Sequence, residues 1–325
     1  MLGLMTSSPP RNELKSPQAR YAAHTAAVCG WRFRSLDGAD GYLFEVADGA
    51  RRAIFAAGAG SPYALNDVRA ASIARDKFFC ARVLREAGLP VLPGEMFFVT
   101  ERWADMRGPG REPDDARRYV AAVQFPIFCK PISASNGLYA EVITDVGAFA
   151  DYMARVAREH FAILIQPYVR APEHRVFVLG GRALFSYQKH LPSVTGDGVS
   201  SLRTLIETMP RDSFSPAAPI RAPIPLDDVV AKGVRVWLEG PANRSAGGAA
   251  GAIVEGAPPA MAALAIAAAK AVGLELAAVD MFDLGAEGLS VIEVNSNPMI
   301  ATLEDAGRWD LIETIWRANI EAALR

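Results

Sequence analysis

The chain has 325 residues, a length that predicts two or three domains, and its 51% hydrophobic and 22% charged residues are ordinary for a globular protein with a sizeable core. The net charge of -2 gives no reason to expect a nucleic-acid partner or binding to an acidic membrane surface. Three scattered cysteines without a CxxC pair favour free thiols in a reducing compartment over a disulfide framework or a zinc site.

No apolar run is long enough to cross a membrane, and the first twenty residues lack the apolar core of a signal peptide. The nearest approach to such a run, residues 259–277, is Ala-rich but interrupted by Lys270, Gly273 and Glu275, so it predicts a helix packed inside a domain. We therefore expect a cytoplasmic protein, without a membrane partner, whose N-terminus is a partly disordered lead-in.

Apolar periodicity and turn residues predict a succession of short helices and strands. Asp48-Gly49 and Gly180-Gly181 predict the tight turns of two hairpins. The predicted helices cover residues 21–29, 67–84, 146–159, 200–207, 259–277 and 303–324. The predicted strands cover residues 42–46, 52–56, 95–100, 125–131, 142–144, 162–167, 175–179, 183–187 and 234–238. Residues 102–116 and 210–225, rich in Gly or Pro, are predicted to be loops.

This succession predicts an α+β protein with antiparallel hairpins rather than the regular βαβ alternation of an α/β Rossmann domain. The sequence contains neither GxGxxG nor GxxxxGK[ST], so neither a classical dinucleotide fold nor a P-loop is supported.

The stretch 291–298 places Glu293 and Asn295 two residues apart on an apolar strand that ends at Asn297-Pro298. Residues two apart in a strand share a face, so both side chains present hard oxygen donors side by side. Carboxylate and carboxamide oxygens suit a magnesium ion that carries nucleotide phosphates.

A second carboxylate strengthens this interpretation. Residues 285–288 have turn composition, and a hairpin folded about the midpoint of residues 286 and 287 places Asp280 opposite Glu293, with their Cβ atoms roughly 5 Å apart. Two like charges at that distance repel each other unless a cation lies between them. The alternative is that both carboxylates are solvated strand residues.

Seven segments in order resemble the ATP-grasp superfamily, and within it the ligase domain of cyanophycin synthetase. The chain is also similar to the D-alanine–D-alanine ligase, glutathione synthetase and ribosomal-protein glutamate-ligase families. The segments that carry this resemblance are residues 73–94, 125–131, 164–169, 173–181, 196–203, 242–248, and Asp280 together with 293–298.

The resemblance implies an ATP-grasp fold of class α+β (α/β), in which two α+β subdomains grip ATP beside a small N-terminal domain. It places an N-terminal domain at residues 1–72, a central ATP-grasp subdomain at 73–168, and a C-terminal subdomain with the metal site at 169–325.

The resemblance also implies roles for individual residues. Lys77 and Lys130 match the two lysines that reach the nucleotide phosphates; the alternative for Lys77 is a solvated helix lysine. Arg175 matches an arginine that projects into the site and holds the γ-phosphate or a substrate carboxylate, the alternative being a surface cross-strand ion pair. Three further groups of residues match cofactor-binding positions of the family. Glu173 matches the acid that binds the ribose hydroxyls. The hinge that recognises adenine is matched by Gln166, Pro167, Tyr168 and Val169, and the loop over the phosphates by Ser133, Ser135 and Asn136.

Two departures from the family pattern concern the loop and the acceptor side. Residues 133–139 keep one glycine where relatives carry a glycine-rich loop over the phosphates, which predicts a stiffer lid. Glu239 stands where cyanophycin synthetases usually carry an arginine, and Arg244 follows it. Either Arg244 takes over stabilisation of the acyl phosphate, or the acceptor site is rebuilt for another substrate.

The implied reaction is an ATP-dependent carboxylate–amine ligation through an acyl phosphate, releasing ADP and phosphate. Asp280, Glu293 and Asn295 would hold one or two Mg²⁺ ions, and Lys130, Arg175 and Arg244 would serve catalysis. The partners would be a small carboxylate donor, such as an amino acid or peptide, and an amine acceptor; a homodimer is compatible with this interpretation. The alternatives are a nucleotide-binding regulatory module without catalysis, and a ligase that uses a protein tail or a thiol as acceptor.

Overall fold

A computed structural model describes residues 13–58, 61–135, 137–209, 222–239, 242 and 247–325. The helices in this part of the chain are α1 Pro17–Cys29, α2 Val68–Arg75, α3 Lys77–Glu86, α4 Pro113–Ala122, α5 Val146–Val156, α6 Leu202–Glu207, α7 Pro259–Val272, α8 Ala301–Asp305 and α9 Trp309–Ala323. The strands are β1 Arg32–Ser35, β2 Leu43–Asp48, β3 Arg51–Ala56, β4 Glu95–Phe98, β5 Ile127–Pro131, β6 Glu141–Ile143, β7 Ala162–Pro167, β8 Glu173–Leu179, β9 Arg182–His190, β10 Ser193–Thr195, β11 Arg235–Trp237, β12 Ala249–Ala250, β13 Val254–Glu255, β14 Leu276–Asp283 and β15 Leu289–Asn295.

The strands form four sheets. An N-terminal sheet has the order β1-β2-β3, and a four-stranded sheet has the order β4-β7-β5-β6. A six-stranded sheet runs β12-β9-β8-β14-β15, with β13 also paired to β9, and β10 pairs with β11. Every pairing between these strands is antiparallel. The predicted α+β mixture with antiparallel hairpins is therefore confirmed.

The six-stranded sheet is covered on both faces. One face packs against α7 and the pair α2–α3, with Val176, Val279 and Val291 in that core. The opposite face shares a second core with the N-terminal sheet, α1 and α9, centred on the fully buried Trp316. The N-terminal segment thus packs against the last helix of the chain. The predicted domain boundaries at residues 72 and 168 stay predictions.

Two helices predicted as continuous are each divided in the structure. Asp76 breaks the predicted 67–84 helix: its backbone is extended, and its carboxylate caps α3 by accepting from the N–H groups of Phe78 and Phe79. Gly307, with φ of 68°, lies between α8 and α9 and breaks the predicted 303–324 helix. Apolar periodicity continues across both breaks, so it conceals them.

The predicted loop at 102–116 is wrong in its last third. Helix α4 begins at Pro113, because Glu112 and Asp115 form a capping box and proline is well suited to the first helical turn. For the predicted 210–225 loop, residues 210–221 lie outside the described part of the chain. None of the described helices is long and apolar enough to cross a membrane.

Two contacts join the four-stranded sheet and its neighbourhood to the six-stranded sheet. The N–H of Leu92 donates to the carbonyl of Val291 at 2.9 Å, and the N–H of Val291 donates to that of Pro90 at 2.9 Å. The N–H of Lys77, at the start of α3, donates to the carbonyl of Ile132 just after β5 at 2.8 Å. These bonds place the end of β5 close to the part of β15 that carries Glu293.

We expect Trp316→Ala to lower the free energy of unfolding by about 3–5 kcal/mol, because a fully buried aromatic that contacts Phe44, Phe55 and Tyr63 would be replaced by a cavity. Urea denaturation followed by circular dichroism measures this change. Trp103→Ala is the matched control, since Trp103 is 52% exposed and its loss should cost about 1 kcal/mol or less. Equal losses in the two variants would contradict the assignment of Trp316 to the core.

Candidate functional site

Charged side chains form a row across three adjacent strands of the six-stranded sheet. Asp280 of β14 lies opposite Arg175 of β8 on one side and opposite Glu293 of β15 on the other. This confirms the hairpin register predicted from the sequence at the Asp280–Glu293 pair. A bulge follows at once, since Met281 pairs with Val291 and leaves Ile292 as the extra residue.

Asp280 is bound by two cations. Nε and Nη2 of Arg175 donate to its two carboxylate oxygens at 2.6 and 2.7 Å, and Nζ of Lys189 donates to Oδ2 at 3.2 Å. The Asp280 side chain is only 2% exposed. Burial by itself raises the pKa of this carboxyl, but Arg175 and Lys189 outweigh burial and hold the pKa at about 2. Asp280 is therefore an ionised, buried carboxylate at neutral pH.

Lys189 is a functional candidate that sequence reasoning missed. It lies on β9 opposite Glu173, to which its ammonium also donates, and its side chain is 7% exposed. The tight turn at Gly180-Gly181 pairs β8 with β9, but a bulge between Phe177 and Val178 shifts the register by one residue. A symmetric hairpin would place Gln188 opposite Glu173 and turn Lys189 to the other face, so the sequence alone could not have placed it.

Lys77 contacts both β15 and the loop after β5. Its Nζ donates to the carbonyl of Ala134 at 2.8 Å and lies 3.5 Å from Oε2 of Glu293. Its side chain is 15% exposed, so the alternative of a solvated helix lysine does not describe it. Burial raises the pKa of Glu293, but Lys77 and Lys130 outweigh burial and lower it overall.

Lys130 lies near the end of β5 and is 6% exposed. Burial lowers its pKa to about 8; the Glu293 carboxylate opposes this shift, and the neighbouring charge of Lys77 adds to it. Its ammonium also lies 5.9 Å from the ring centre of Phe128. Lys130 thus belongs to the same charged group as Lys77 and Glu293, as its predicted role requires.

Arg175 does form a cross-strand ion pair, but the pair is buried rather than on the surface. Burial opposes its charge, and Asp280 overcomes that effect and raises its pKa well above the ordinary value. The group as a whole contains four cationic side chains and three carboxylates: Lys77, Lys130, Arg175 and Lys189, with Glu173, Asp280 and Glu293.

The donor set fits a magnesium ion. Asp280 and Glu293 offer hard carboxylate oxygens from directly opposite positions, and Asn295 adds a carboxamide whose Oδ1 accepts from the N–H of Asn297 at 2.9 Å. No group of three or more His, Cys, Asp or Glu side chains suited to a metal occurs in the described residues, and the predicted set contains only two such residues. The assignment of Asp280, Glu293 and Asn295 as metal ligands stays a prediction.

The predicted hinge lies where β7 ends. Gln166 is buried, with Nε2 3.5 Å from the carbonyl of Leu92, and the N–H of Tyr168 donates to the carbonyl of Pro126 at 3.4 Å. Pro167 is exposed and Val169 is half-buried. The hinge segment therefore connects the four-stranded sheet directly to Glu173 at the start of β8.

The predicted loop and acceptor residues are only partly described. Ser133 and Ser135 are exposed beyond β5, whereas Asn136 and Arg244 lie outside the described residues. Glu239, which stands where relatives have an arginine, forms an ion pair with Arg170 just beyond the hinge. The guanidinium of Arg170 thus lies next to position 239, although Arg170 belongs to a different segment of the chain.

The charged residues lie on the six-stranded antiparallel sheet, and Lys77 and Lys130 join them from α3 and from the four-stranded sheet. A bifunctional glutathione synthetase from Pasteurella multocida superposes with a TM-score of 0.52 at 20% identity, over 93% of this chain and 44% of that chain. The RimK-like ATP-grasp domain family matches residues 216–318. The fold of the chain is thus that of ATP-grasp ligases, and residues 216–318 are similar to the RimK-like ATP-grasp domain.

The curated relatives are longer proteins. The chain is 26% identical over 253 residues to a bifunctional glutathione biosynthesis protein of Streptococcus mutans, covering 69% of this chain and 32% of the relative. It is 26% identical over 231 residues to a cyanophycin synthetase of Geminocystis herdmanii, covering 64% and 25%. It is 29% identical over 119 residues to a D-alanine–D-alanine ligase of Sodalis glossinidius, covering 37% and 30%. The chain thus spans about a third or less of the length of these relatives.

We expect Asp280→Asn to destabilise the nucleotide-free protein by about 3 kcal/mol, because it leaves Arg175 and Lys189 buried without their shared anion. Chemical denaturation measures the loss. Asp310→Asn removes a carboxylate from the exposed Arg308 pair and should cost less than about 1 kcal/mol. If Asp280→Asn were no more damaging than this control, the buried ion pairs would not be what stabilises the site.

Proposed function

We propose that the protein is an ATP-dependent carboxylate–amine ligase that forms an amide bond through an acyl phosphate and releases ADP and phosphate. The observation that carries the proposal is the row of Arg175, Asp280 and Glu293, in which Asp280 is buried and the other two are partly buried, flanked by three lysines on neighbouring elements. Such a concentration of charged groups suits a highly charged ligand. Similarity to a glutathione biosynthesis protein, a cyanophycin synthetase and a D-alanine–D-alanine ligase supports it.

The proposed site would exchange its internal ion pairs for contacts to nucleotide and metal. Asp280, Glu293 and Asn295 would hold Mg²⁺, which when bound would offset phosphate charge. Arg175, released from Asp280, would be free to contact the γ-phosphate or the donor carboxylate. Lys77, Lys130 and Lys189 would hold the phosphates as point charges.

The residues would contribute mostly by positioning and by charge. Phosphoryl transfer from ATP to the donor carboxylate forms a bond from a carboxylate oxygen to the γ-phosphorus and breaks the bond to ADP. The amine then adds to the acyl carbon and phosphate leaves, with the amine proton passing to solvent or to a carboxylate. The cations in this buried site would stabilise the charge that develops at both steps, because water does not screen them there.

The exchange at Glu239 concerns the amine side of the reaction. Its carboxylate is paired with Arg170, so the site presents an ion pair in place of a lone guanidinium. Arg244 stays the candidate from the sequence for stabilising the acyl phosphate, and Arg170 is a second candidate because it pairs with Glu239. The identity of the donor and acceptor is left to experiment.

We expect the purified protein to release ADP and phosphate from ATP and Mg²⁺ when an amino-acid or dipeptide panel supplies both donor and acceptor. A coupled ADP assay and mass spectrometry of the products measure this activity. Glu293→Gln keeps the side-chain volume but removes a charge of the metal site, so it should reduce turnover at least about 100-fold with little effect on folding.

Turnover retained in Glu293→Gln would contradict the metal assignment. Nucleotide binding without ADP release across the panel would favour the regulatory module over the ligase. Transfer to an added protein tail or thiol, detected as a mass increase on that acceptor, would keep the activation step and change the acceptor class.

We expect the affinity for ADP to fall as the pH rises through about 8, because the buried ammonium of Lys130 then loses the proton that phosphate binding requires. Isothermal titration calorimetry between pH 7 and 9 measures this dependence. Lys130→Arg, whose guanidinium stays charged over that range, is the control and should give a flatter profile. A flat profile in the wild-type protein would contradict the lowered pKa of Lys130.

A further inference from the structure

Asn66 joins the two outer ends of the hairpin that carries Asp280 and Glu293. Its Nδ2 donates to the carbonyl of Leu276 at 2.8 Å and to that of Ser296 at 3.0 Å. Its Oδ1 accepts from the N–H groups of Glu275 and Leu276 at 3.1 and 3.0 Å. Two donors and two acceptor sites are all that one carboxamide offers, so this side chain is fully used in fastening β14 to the residue after β15.

Tyr63 makes a second attachment to the same segment. Its hydroxyl donates to the carbonyl of Pro298 at 3.0 Å, and the residue is 4% exposed. Tyr63 and Asn66, here called the clamp, therefore hold carbonyls one and three residues beyond Asn295. Both come from the segment before α2, outside the six-stranded sheet.

The clamp binds the chain just beyond the last hydrogen-bonded pair of β14 and β15. Asn295 is the last residue of β15, and its pairing with Ala278 is the last of the β14–β15 ladder. Beyond it the chain turns at Ser296 and Asn297 instead of pairing. The Oδ1 of Asn295 accepts from the N–H of Asn297, so the direction of its carboxamide depends on how residues 296–298 are held. The clamp supplies hydrogen bonds to the carbonyls of Ser296 and Pro298 on either side of Asn297.

We propose that Tyr63 and Asn66 are positioning residues for the metal site, which fix residues 296–298 and thereby keep the Asn295 carboxamide on the face of β15 that carries Glu293. This inference rests on the proposed function, because it takes Asn295 as a metal ligand. Residues that orient metal ligands typically affect metal affinity about 10- to 100-fold. The clamp also makes the N-terminal segment a part of the metal site although it contributes no ligand.

The test measures metal binding directly. Mn²⁺ replaces Mg²⁺ as a paramagnetic probe, and electron paramagnetic resonance gives its dissociation constant from the protein–ADP complex. We expect Tyr63→Phe and Asn66→Ala each to weaken Mn²⁺ binding, and the double variant to weaken it about tenfold or more. ADP affinity without metal, measured by calorimetry, should change less than about twofold.

Two buried tyrosines outside the clamp serve as matched controls. Tyr21→Phe removes a hydroxyl that donates to Glu304 at 2.8 Å, and Tyr152→Phe removes a hydroxyl that donates to the carbonyl of Tyr139 at 2.9 Å. Each control deletes the same kind of bond as Tyr63→Phe, and neither bond is made to residues 296–298. They should lower thermal stability without changing the Mn²⁺ dissociation constant.

The outcomes separate the two proposals. If the wild-type protein binds neither ADP nor Mn²⁺, the proposed function itself fails. If the wild type binds both and the folded clamp variants bind Mn²⁺ as tightly as the controls do, only the positioning role is overturned. Should Asn66→Ala fail to fold, Tyr63→Phe alone decides, since it deletes a single oxygen and should fold as Tyr21→Phe does.

Discussion

The group of four cations and three carboxylates is arranged around one buried carboxylate, that of Asp280. Asp280 is held between Arg175 and Lys189 in the middle of the six-stranded sheet, and all three side chains are largely shielded from water. Removing any one of them would leave an uncompensated charge in a medium where charges are costly. In β8 the charged residues lie at the start of the strand, and residues Val176 to Leu179 are apolar and buried.

The same charged residues could form two different sets of ion pairs. In the structure described here the cations neutralise the carboxylates of the protein itself. A metal ion with nucleotide phosphates would supply charges of both signs, so the lysines and Arg175 could transfer to the phosphates while the carboxylates transfer to the metal. Few buried charges are then unpaired, either before or after metal and nucleotide bind. This favours joint binding of metal and nucleotide over binding of either one alone.

The rest of the fold places this group. Residues 90–92 and the start of α3 attach the four-stranded sheet to β15, which brings Lys77 and Lys130 to Glu293. The N-terminal sheet and α9 share one core with the opposite face of the six-stranded sheet, and from that core Tyr63 and Asn66 reach the segment after β15. Regions without a readable motif thus still determine the geometry of the proposed site.

The sequence by itself determined the antiparallel α+β class and most of the strands. It also predicted the pair of Asp280 with Glu293, but the predicted register fails nearer the turn, where Met281 pairs with Val291, and the bulge at Ile292 restores it at Asp280. Only the tertiary structure decided the position of Lys189, since a bulge that no local pattern announces sets which face it shares. The breaks at Asp76 and Gly307 have local causes, a side-chain cap and a left-handed glycine, which the apolar periodicity hides. Only the tertiary structure decided the ion pair of Arg170 with Glu239, because it joins segments that are distant in the chain.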